Sequence, residues 1–368
     1  MKQTMLLKLA PTPEQAQALL DTMHTFNAAC NSIAAQAFES QVANKFELQK
    51  MTYGELRTSY HLPAQLAIRA ISKTTDVYKR DKSIKPTFKP EGAIVYDERV
   101  MSFKGLTTVS LLTLQGRVLV PFRMGGYQAS RLGSIKGQAD LIYRKGIFSL
   151  AVTLEIPTPT PDETTETLGV DLGIINLATD SEGETFSGEQ VEKNRQRHHA
   201  LRQRLQQCGT KSAKRHLKNL SGREARFRKN TNHVISKRIV QKAKHQNKAI
   251  AIEELRHIRK RTERTVRHSQ RARQSSWSFW QLRFFLSYKA ALAGVPLHTV
   301  DPRNTSRTCS VCGHCAKENR KSQAFFVCQA CGSTDHADRN AALTISRASV
   351  MVPIVSSGSR FGYTQIGA

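Results

Sequence analysis

A multidomain α+β architecture is the fold class this 368-residue sequence predicts. Its first eighty residues carry apolar side chains at helical spacing. Residues 93–157 change to strand-like alternation and end in PTPTPDETTET at 157–167, a Pro/Thr/acid linker and the best domain boundary in the chain. Beyond it, short apolar strand runs alternate with long charged helical segments, and five of the seven cysteines fall within residues 309–331. The length suits two or three domains with real cores.

Taken in order, the apolar run in MKQTMLLKLA is too short for a secretory signal and reads as a first strand over 1–10. Thr12-Pro13-Glu14-Gln15 is a helix start. Thr12 caps, Pro13 suits the first helical position, and Gln15 reaches back to the cap's amide. That helix should run to about Glu39. A second is expected from Pro63 to Arg80, with Leu66, Ile71, Val77 and Tyr78 near one face. KRDKSIKPTFKP, residues 79–90, is a basic, proline-broken linker, and GQADLIYRKGIFSLAVTLEIP is a hairpin turning about Arg144-Lys145-Gly146.

After the linker, LGVDLG is a short buried strand carrying Asp171, followed by two shorter strands turning at Ser181-Glu182-Gly183. A basic helical block has Leu201, Leu205, Val234, Ile235 and Ile239 as its apolar positions. KAIAIEEL is another buried strand, ending in Glu253-Glu254. In the helix WSFWQLRFFLSYKAALAG, closed by Gly294, the spacing of Trp277, Trp280, Phe284 and Tyr288 predicts a core-facing stripe rather than a base-stacking surface. VPLHTVDP is a strand and DRNAALTISRA a final helix. The tail from 349, rich in Ser and Gly and without an acidic residue, is expected to be poorly ordered.

The chain holds 56 Lys+Arg against 29 Asp+Glu, a formal charge of +27. Residues 191–275 alone hold 26 basic and 5 acidic side chains, a net of +21, leaving +6 for the rest. Charge this concentrated is a footprint for a phosphate backbone. No apolar stretch approaches 18 residues, so no membrane span is expected. In a reducing compartment, clustered cysteines point to metal before disulfides.

Cys309-x-x-Cys312 and Cys328-x-x-Cys331, with fifteen residues between the pairs, match a four-thiolate zinc ribbon. Such a site is filled by protein, so its Zn²⁺ is structural. Gly313 and Gly332 follow the second cysteine of each pair and suit tight knuckles. Cys315 offers an alternative pair with Cys312, but lacks that glycine. Cys30 and Cys208 stand alone, and a filled site needs neither His314 nor His336.

Asp171 and Glu253 sit in apolar strands, where a charge is costly unless paired or metal-bound. Singly, each acid has a plain structural reading: Asp338 as a helix cap, Asp171 as a strand-end turn residue. Together they fall on the first strand, the fourth strand and the last helix of a strand–hairpin–helix–strand–helix–strand–helix order. That is the layout of an RNase H-like nuclease, whose two Mg²⁺ ions clamp the oxygens of a phosphodiester. Alternation does not choose between Glu253 and Glu254, because both strand faces look apolar.

LGVDLG, IAIEEL, NTSRTCSVCGHC, CQACG and HADRNAA together resemble the TnpB (OrfB) family of transposon-encoded RNA-guided nucleases, related to the compact type V CRISPR effectors. KLAPTPEQ with FNAACNSIAAQAF is similar to that family's opening; residues 40–160 match only in general layout. The resemblance implies a RuvC triad of Asp171, Glu253 and Asp338. Glu253 is selected over Glu254 because the family's glutamate precedes an acid or amide and then leucine. Asp338 is selected over Asp335 by the x-Asn-Ala that follows it. Zinc would be held by Cys309, Cys312, Cys328 and Cys331, and Mg²⁺ by the triad.

The same resemblance implies a wedge domain over 1–10 and 83–160, a helical recognition insert over 11–82 and a RuvC-like nuclease domain over 161–305 and 335–348. A zinc-ribbon, target-nucleic-acid-binding domain would occupy 306–334. It implies one chain bound to one guide RNA from the transposon end, and double-stranded target DNA chosen by guide pairing and a short adjacent motif. A cytoplasmic, nucleoid-associated endodeoxyribonuclease of a prokaryote is the expectation. A nuclease-inactive guided DNA-binding protein, or a strand-transfer transposase using the same carboxylates, would share charge, ribbon and fold. Some relatives have lost triad acids and act as repressors; retention of all three here favours cleavage.

Overall fold

The structure, a computed structural model, describes residues 1–254 and 279–351, the last two by backbone alone. It divides into two units, Met1–Pro157 and Thr158–Ala368, at the start of the expected linker.

The first unit contains β1 (Lys2–Leu9), α1 (Pro13–Glu39), α2 (Lys45–Thr58), α3 (Ala64–Tyr78), β2 (Ile94–Tyr96), β3 (Met101–Lys104), β4 (Thr108–Thr113), β5 (Gly116–Arg123), the single-turn α4 (Gly126–Ala129), β6 (Ile135–Arg144) and β7 (Ile147–Glu155). Its strands form one antiparallel sheet in the order β2-β6-β7-β1-β5-β4-β3. α1 begins as its sequence dictates: Thr12 Oγ1 accepts from the Gln15 N–H at 3.3 Å, and Gln15 Oε1 accepts from the Thr12 N–H at 3.1 Å. The β6–β7 turn puts Lys145 and Gly146 at φ of 53° and 77°, the double left-handed geometry that matches strand twist.

Helix α2 was not expected. It buries only Leu48, Thr52 and Leu56, a narrow stripe that helical periodicity barely registers; packing beside Leu66, Ile71 and Tyr78 of α3 stabilises it. Residues 79–93 have no regular structure, and buried Asn27 of α1 donates to the Pro90 and Gly92 carbonyls at 3.0 and 2.8 Å.

The second unit contains β8 (Glu166–Asp171), β9 (Asn176–Asp180), β10 (Thr185–Ser187), α5 (Glu189–Cys208), α6 (Lys211–His245), β11 (Lys248–Glu253), α7 (Phe279–Ala293), β12 (Leu297–Val300), the hairpin β13 (Phe325–Val327) and β14 (Thr334–His336), and α8 (Ala337–Met351). Its five-stranded sheet runs β10-β9-β8-β11-β12, with β8 antiparallel to β9 and parallel to β11, and β11 parallel to β12.

The two faces of this sheet differ in side-chain size. Leu168, Val170, Ile250 and Ile252 pack against Ile235, Ile239 and Val240 of α6 and Leu282, Leu286 and Ala290 of α7. On the other face Ala251 and Val300 pack against Ile345 of α8. Gly169 shares that second face by strand alternation. A Cβ there would lie 1.9 Å from the Ala342 carbonyl oxygen and 2.7 Å from the Ser346 nitrogen, so only glycine lets α8 come this close.

Three expectations are corrected. Val234 is 49% exposed rather than core-facing; the buried stripe of α6 is Ile235, Ile239, Val240 and Ala243. The aromatic stripe of α7 is not its core face either. Trp280 is 69% exposed, Phe284 is also exposed and Tyr288 half-buried, while Leu282, Phe285, Leu286 and Ala290 are buried. This helix is apolar nearly all round, so periodicity offers two stripes and the sheet takes the aliphatic one. Residues 349–351 close α8 rather than opening a tail. The remainder of that tail, Trp277 and positions 255–275 of the basic block lie outside the described residues. Among the described residues no helix is long and apolar enough to cross a membrane.

Candidate active site and metal centre

Parallel pairing sets Val170 opposite Ile252, so the next residues, Asp171 and Glu253, leave β8 and β11 side by side at the carboxyl ends of the strands. Their parity is that of Gly169 and Ala251, the face closed by α8. Asp338 comes from the first turn of α8 and is buried. Burial first, then the neighbouring Glu253 and Asp338 carboxylates, push the Asp171 carboxyl up to about 7. Burial also raises Glu253. Three acids from three elements thus share one electrostatic neighbourhood.

Each of the other two acids has a neutral donor. Thr305 Oγ1 donates to Glu253 Oε1 at 2.5 Å, and the Asn176 amide donates to Asp338 Oδ2 at 2.9 Å. The Arg320 guanidinium stands 3.3 Å from Asp338 Oδ1, and its charge also acts on Asp171, favouring the carboxylate. Glu254, one residue on, makes a two-point ion pair with Arg283 of α7, on the opposite side of the strand. Asp335 pairs with Arg339 at 3.4 Å. Asp338 lies inside the helix and is not its cap; its own N–H donates to His336 Nδ1 at 3.3 Å. Sequence reasoning missed Arg320, Thr305 and Asn176, which no spacing rule marks.

The sulfurs of Cys309, Cys312, Cys328 and Cys331 lie within 4.8 Å of one another. Among the described residues this is the one set of three or more potential ligand groups gathered so tightly; the carboxylates stand further apart. Gly313 and Gly332, at φ of 76° and 68°, close the two knuckles by donating to the Cys309 and Cys328 carbonyls at 3.0 Å each. Amides turn toward sulfur in both: Val311 N–H to Cys309 Sγ at 3.4 Å, Cys331 N–H to Cys328 Sγ at 3.5 Å. The Cys331 amide leads in lowering the Cys328 thiol to about 6, while the thiol of Cys331 itself, despite its amide bond at Ser333, is raised by the neighbouring sulfurs. Cys315 stands exposed outside the cluster, so the 312/315 pairing is not formed. Neither His314 nor His336 joins the cluster; Cys30 is buried in the first unit, and Cys208 ends α5 exposed.

The cysteine module is fastened to α8. The Asn340 side chain accepts from the Ser310 N–H at 2.9 Å and donates to the Thr308 carbonyl at 2.8 Å. Ala337 packs with Cys309, Phe326 and Cys328. The helix carrying Asp338 therefore continues directly from the cysteine module, and Arg320 reaches from that module to the acid.

Known proteins show the same segments. Residues 149–274 match a family model described as a probable transposase of the OrfB type, and residues 279–345 match the Cas12f1-like TNB domain. A CRISPR-associated endodeoxyribonuclease Cas12f1 of Sulfoacidibacillus thermotolerans is 37% identical over 35% of this chain and 29% of its own length. The chain thus spans less than a third of that relative. A putative RNA-guided DNA endonuclease InsQ of Escherichia coli is 27% identical over 79% of this chain and 75% of its own. A TnpB-like protein of Methanocaldococcus jannaschii is 33% identical over 31% of this chain and 40% of its own. A solved Cas12f1–sgRNA–target DNA complex aligns over 94% of this chain and 99% of the other, at 16% identity and a TM-score of 0.42. Two neighbouring segments, residues 149–274 and 279–345, thus resemble the OrfB-type probable transposase and the Cas12f1-like TNB domain, and the chain is similar to bacterial and archaeal proteins named as an RNA-guided DNA endonuclease and as TnpB-like.

Proposed function

We propose that the chain is an RNA-guided DNA endonuclease encoded by a transposon, cutting double-stranded DNA at an RNase H-like, RuvC-type site formed by Asp171, Glu253 and Asp338. One observation carries the reading: three acids from β8, β11 and α8 converge on the face where α8 meets the sheet at Gly169. Residues 1–157 would supply the wedge and recognition parts, and the cysteine module would be the target-binding ribbon.

The donor set fits hard divalent ions. Burial and mutual repulsion oppose ionisation of these acids, and a divalent cation offsets both. The three carboxylates would hold Mg²⁺, which supplies charge neutralisation at the attacking and leaving oxygens of the phosphodiester. Thr305 and Asn176 orient the Glu253 and Asp338 carboxylates. Arg320, beside Asp338, is placed to meet a phosphate oxygen. Four thiolates fit one structural Zn²⁺ that holds the module from which Arg320 projects.

The basic helices α5 and α6 favour a phosphate-backbone partner. The family reading makes that partner a guide RNA from the transposon end, one RNA per chain, in the nucleoid of a prokaryote. The test is to purify the chain from cells carrying the transposon flank, sequence the co-purifying RNA, and offer linear duplex DNA matching it. Guide- and Mg²⁺-dependent cuts in both strands are expected. Strand-transfer products, or guided binding of DNA that stays uncut, would overturn the reading in favour of the transposase or the repressor.

A further inference from the structure

We propose that an open cavity on the first unit, between the start of α2 and the basic segment that follows α3, holds one unpaired nucleotide of an RNA strand. The choice of RNA rests in part on the guide-RNA reading; the cavity's fit to a nucleotide stands apart from it.

The cavity measures about 550 Å³, within the roughly 300–1,000 Å³ of small-ligand pockets. Lys45, Lys79 and Lys82 line it together with Phe46, Gln41 and Glu47. Among the described residues, none of the three ammonium groups makes an ion pair. Like charges gathered unpaired in one cavity repel each other, and an anion among them offsets the repulsion. The first turn of α2 shares the lining and adds the positive end of a 14-residue helix. Phe46 is 74% exposed, so its ring is an apolar face set among cations.

The segment bearing Lys79 and Lys82 is held at both ends. Lys79 continues from α3, its N–H donating to the Thr75 carbonyl at 3.0 Å. Downstream, Asn31 of α1 donates to the Phe88 carbonyl at 2.9 Å and accepts from the Phe88 N–H at 2.7 Å. Lys73 of α3 donates to the Ala93 carbonyl at 2.6 Å and stands 5.0 Å from the centre of the Phe88 ring. Asp81, the sole acid of residues 79–90, accepts from the Ser83 N–H at 3.0 Å and its hydroxyl at 2.5 Å, turning back on its own loop rather than pairing with the lysines.

Ammonium groups beside an exposed ring fit a phosphate and the face of its base. A duplex hides its base faces and presents a convex backbone, so a concave site with a ring selects an unpaired nucleotide. Gln41 commits its amide nitrogen to the Phe38 carbonyl at 2.6 Å, which leaves its amide oxygen, with the Glu47 carboxylate, as an acceptor in the lining. A ribose 2′-hydroxyl donates to such acceptors, and deoxyribose lacks it.

The experiment irradiates the full chain with a thiouridine-substituted oligouridylate, maps the photoadducts by mass spectrometry and follows the adduct within residues 41–47 against strand concentration. Wild type should give a saturable adduct at Phe46 or a neighbour. Lys79→Gln/Lys82→Gln should raise the half-saturating concentration about threefold or more. The same variant should lower the slope of log affinity against log salt by about 1.4, since two phosphate contacts are lost. Asn31→Ala should also raise the half-saturating concentration, although every lysine remains. Unsubstituted oligouridylate should compete for this adduct several-fold better than oligodeoxythymidylate, and Glu47→Ala should narrow the difference. Adducts confined to α5 and α6, with none within 41–47, would overturn the site, as would an unchanged half-saturation and salt slope in the double lysine variant. Equal competition by the deoxyribose strand would overturn the choice of RNA, and equal competition by duplex RNA the choice of an unpaired nucleotide. Cleavage plays no part in this readout, so failure of the nuclease reading and failure of the cavity are told apart.

Discussion

The α8 backbone meets strand β8 where Gly169 faces Ala342, at a distance that leaves 1.9 Å between a hypothetical Cβ and the Ala342 carbonyl oxygen. Asp171 lies two residues on, at the same strand parity, and Asp338 one turn earlier on the helix. This single close approach joins two of the three acids. Gly169→Ala must push backbone apart, since no flexible side chain is available to yield. A loss of about 1–3 kcal/mol is expected, read as a lower melting temperature, together with loss of cleavage. A variant that melts and cuts like wild type would show that α8 does not need this contact.

Asn340 is the corresponding fastening between α8 and the cysteine module. Asn340→Ala leaves the buried Ser310 N–H without its acceptor, at a cost of about 1–3 kcal/mol. Faster proteolysis within 306–334 is expected, and unchanged cleavage by protease would count against the fastening.

Metal analysis of the purified chain should find about one zinc per molecule. Cys309→Ser should lose it and Cys315→Ser should keep it, since only the former is among the four gathered sulfurs. Zinc lost from Cys315→Ser but kept by Cys309→Ser would point to the rejected pairing.

Acid stability should involve Glu182. The Gln246 amide, then the Lys248 and Lys242 ammonium groups, hold its carboxyl at about 2, below its ordinary 4.5. A depressed acid stabilises the fold above its unfolded value, and that contribution is lost as pH falls from about 4.5 towards 2. Its partial exposure keeps the effect at about 1 kcal/mol or less. Glu182→Gln should flatten the acid limb of a melting-temperature profile and leave the neutral stability slightly lower. An identical acid limb would refute the assignment.

Much of this was legible in residue order. The Thr12 cap, the β6–β7 turn, the two cysteine knuckles and the alternation of strand and helix in the second unit are local patterns, and local geometry honours them. The choice of Glu253, which the resemblance supplies, was legible in strand alternation as well: Ala249, Ala251 and Glu253 share one strand parity and Ile250, Ile252 and Glu254 the other. The small residues mark the face a helix approaches closely. What sequence could not supply was tertiary. Arg320 reaches Asp338 across eighteen positions, Thr305 reaches Glu253 across fifty-two, and nothing in α7 said which of its two apolar stripes the sheet would take.

The central claim is that Asp171, Glu253 and Asp338 act as one site while Glu254 does not. It is tested most directly by guide-dependent cleavage of a matching plasmid, with Mg²⁺ and with EDTA, for wild type, Asp171→Ala, Glu253→Ala and Glu254→Ala. Asp171→Ala and Glu253→Ala should lose cleavage by orders of magnitude while still binding RNA and target. Glu254→Ala, which loses the Arg283 pair on the opposite side of the strand, should cut at a rate within a few-fold of wild type. Full cutting by Asp171→Ala, or equal loss in the two glutamate variants, would contradict the account.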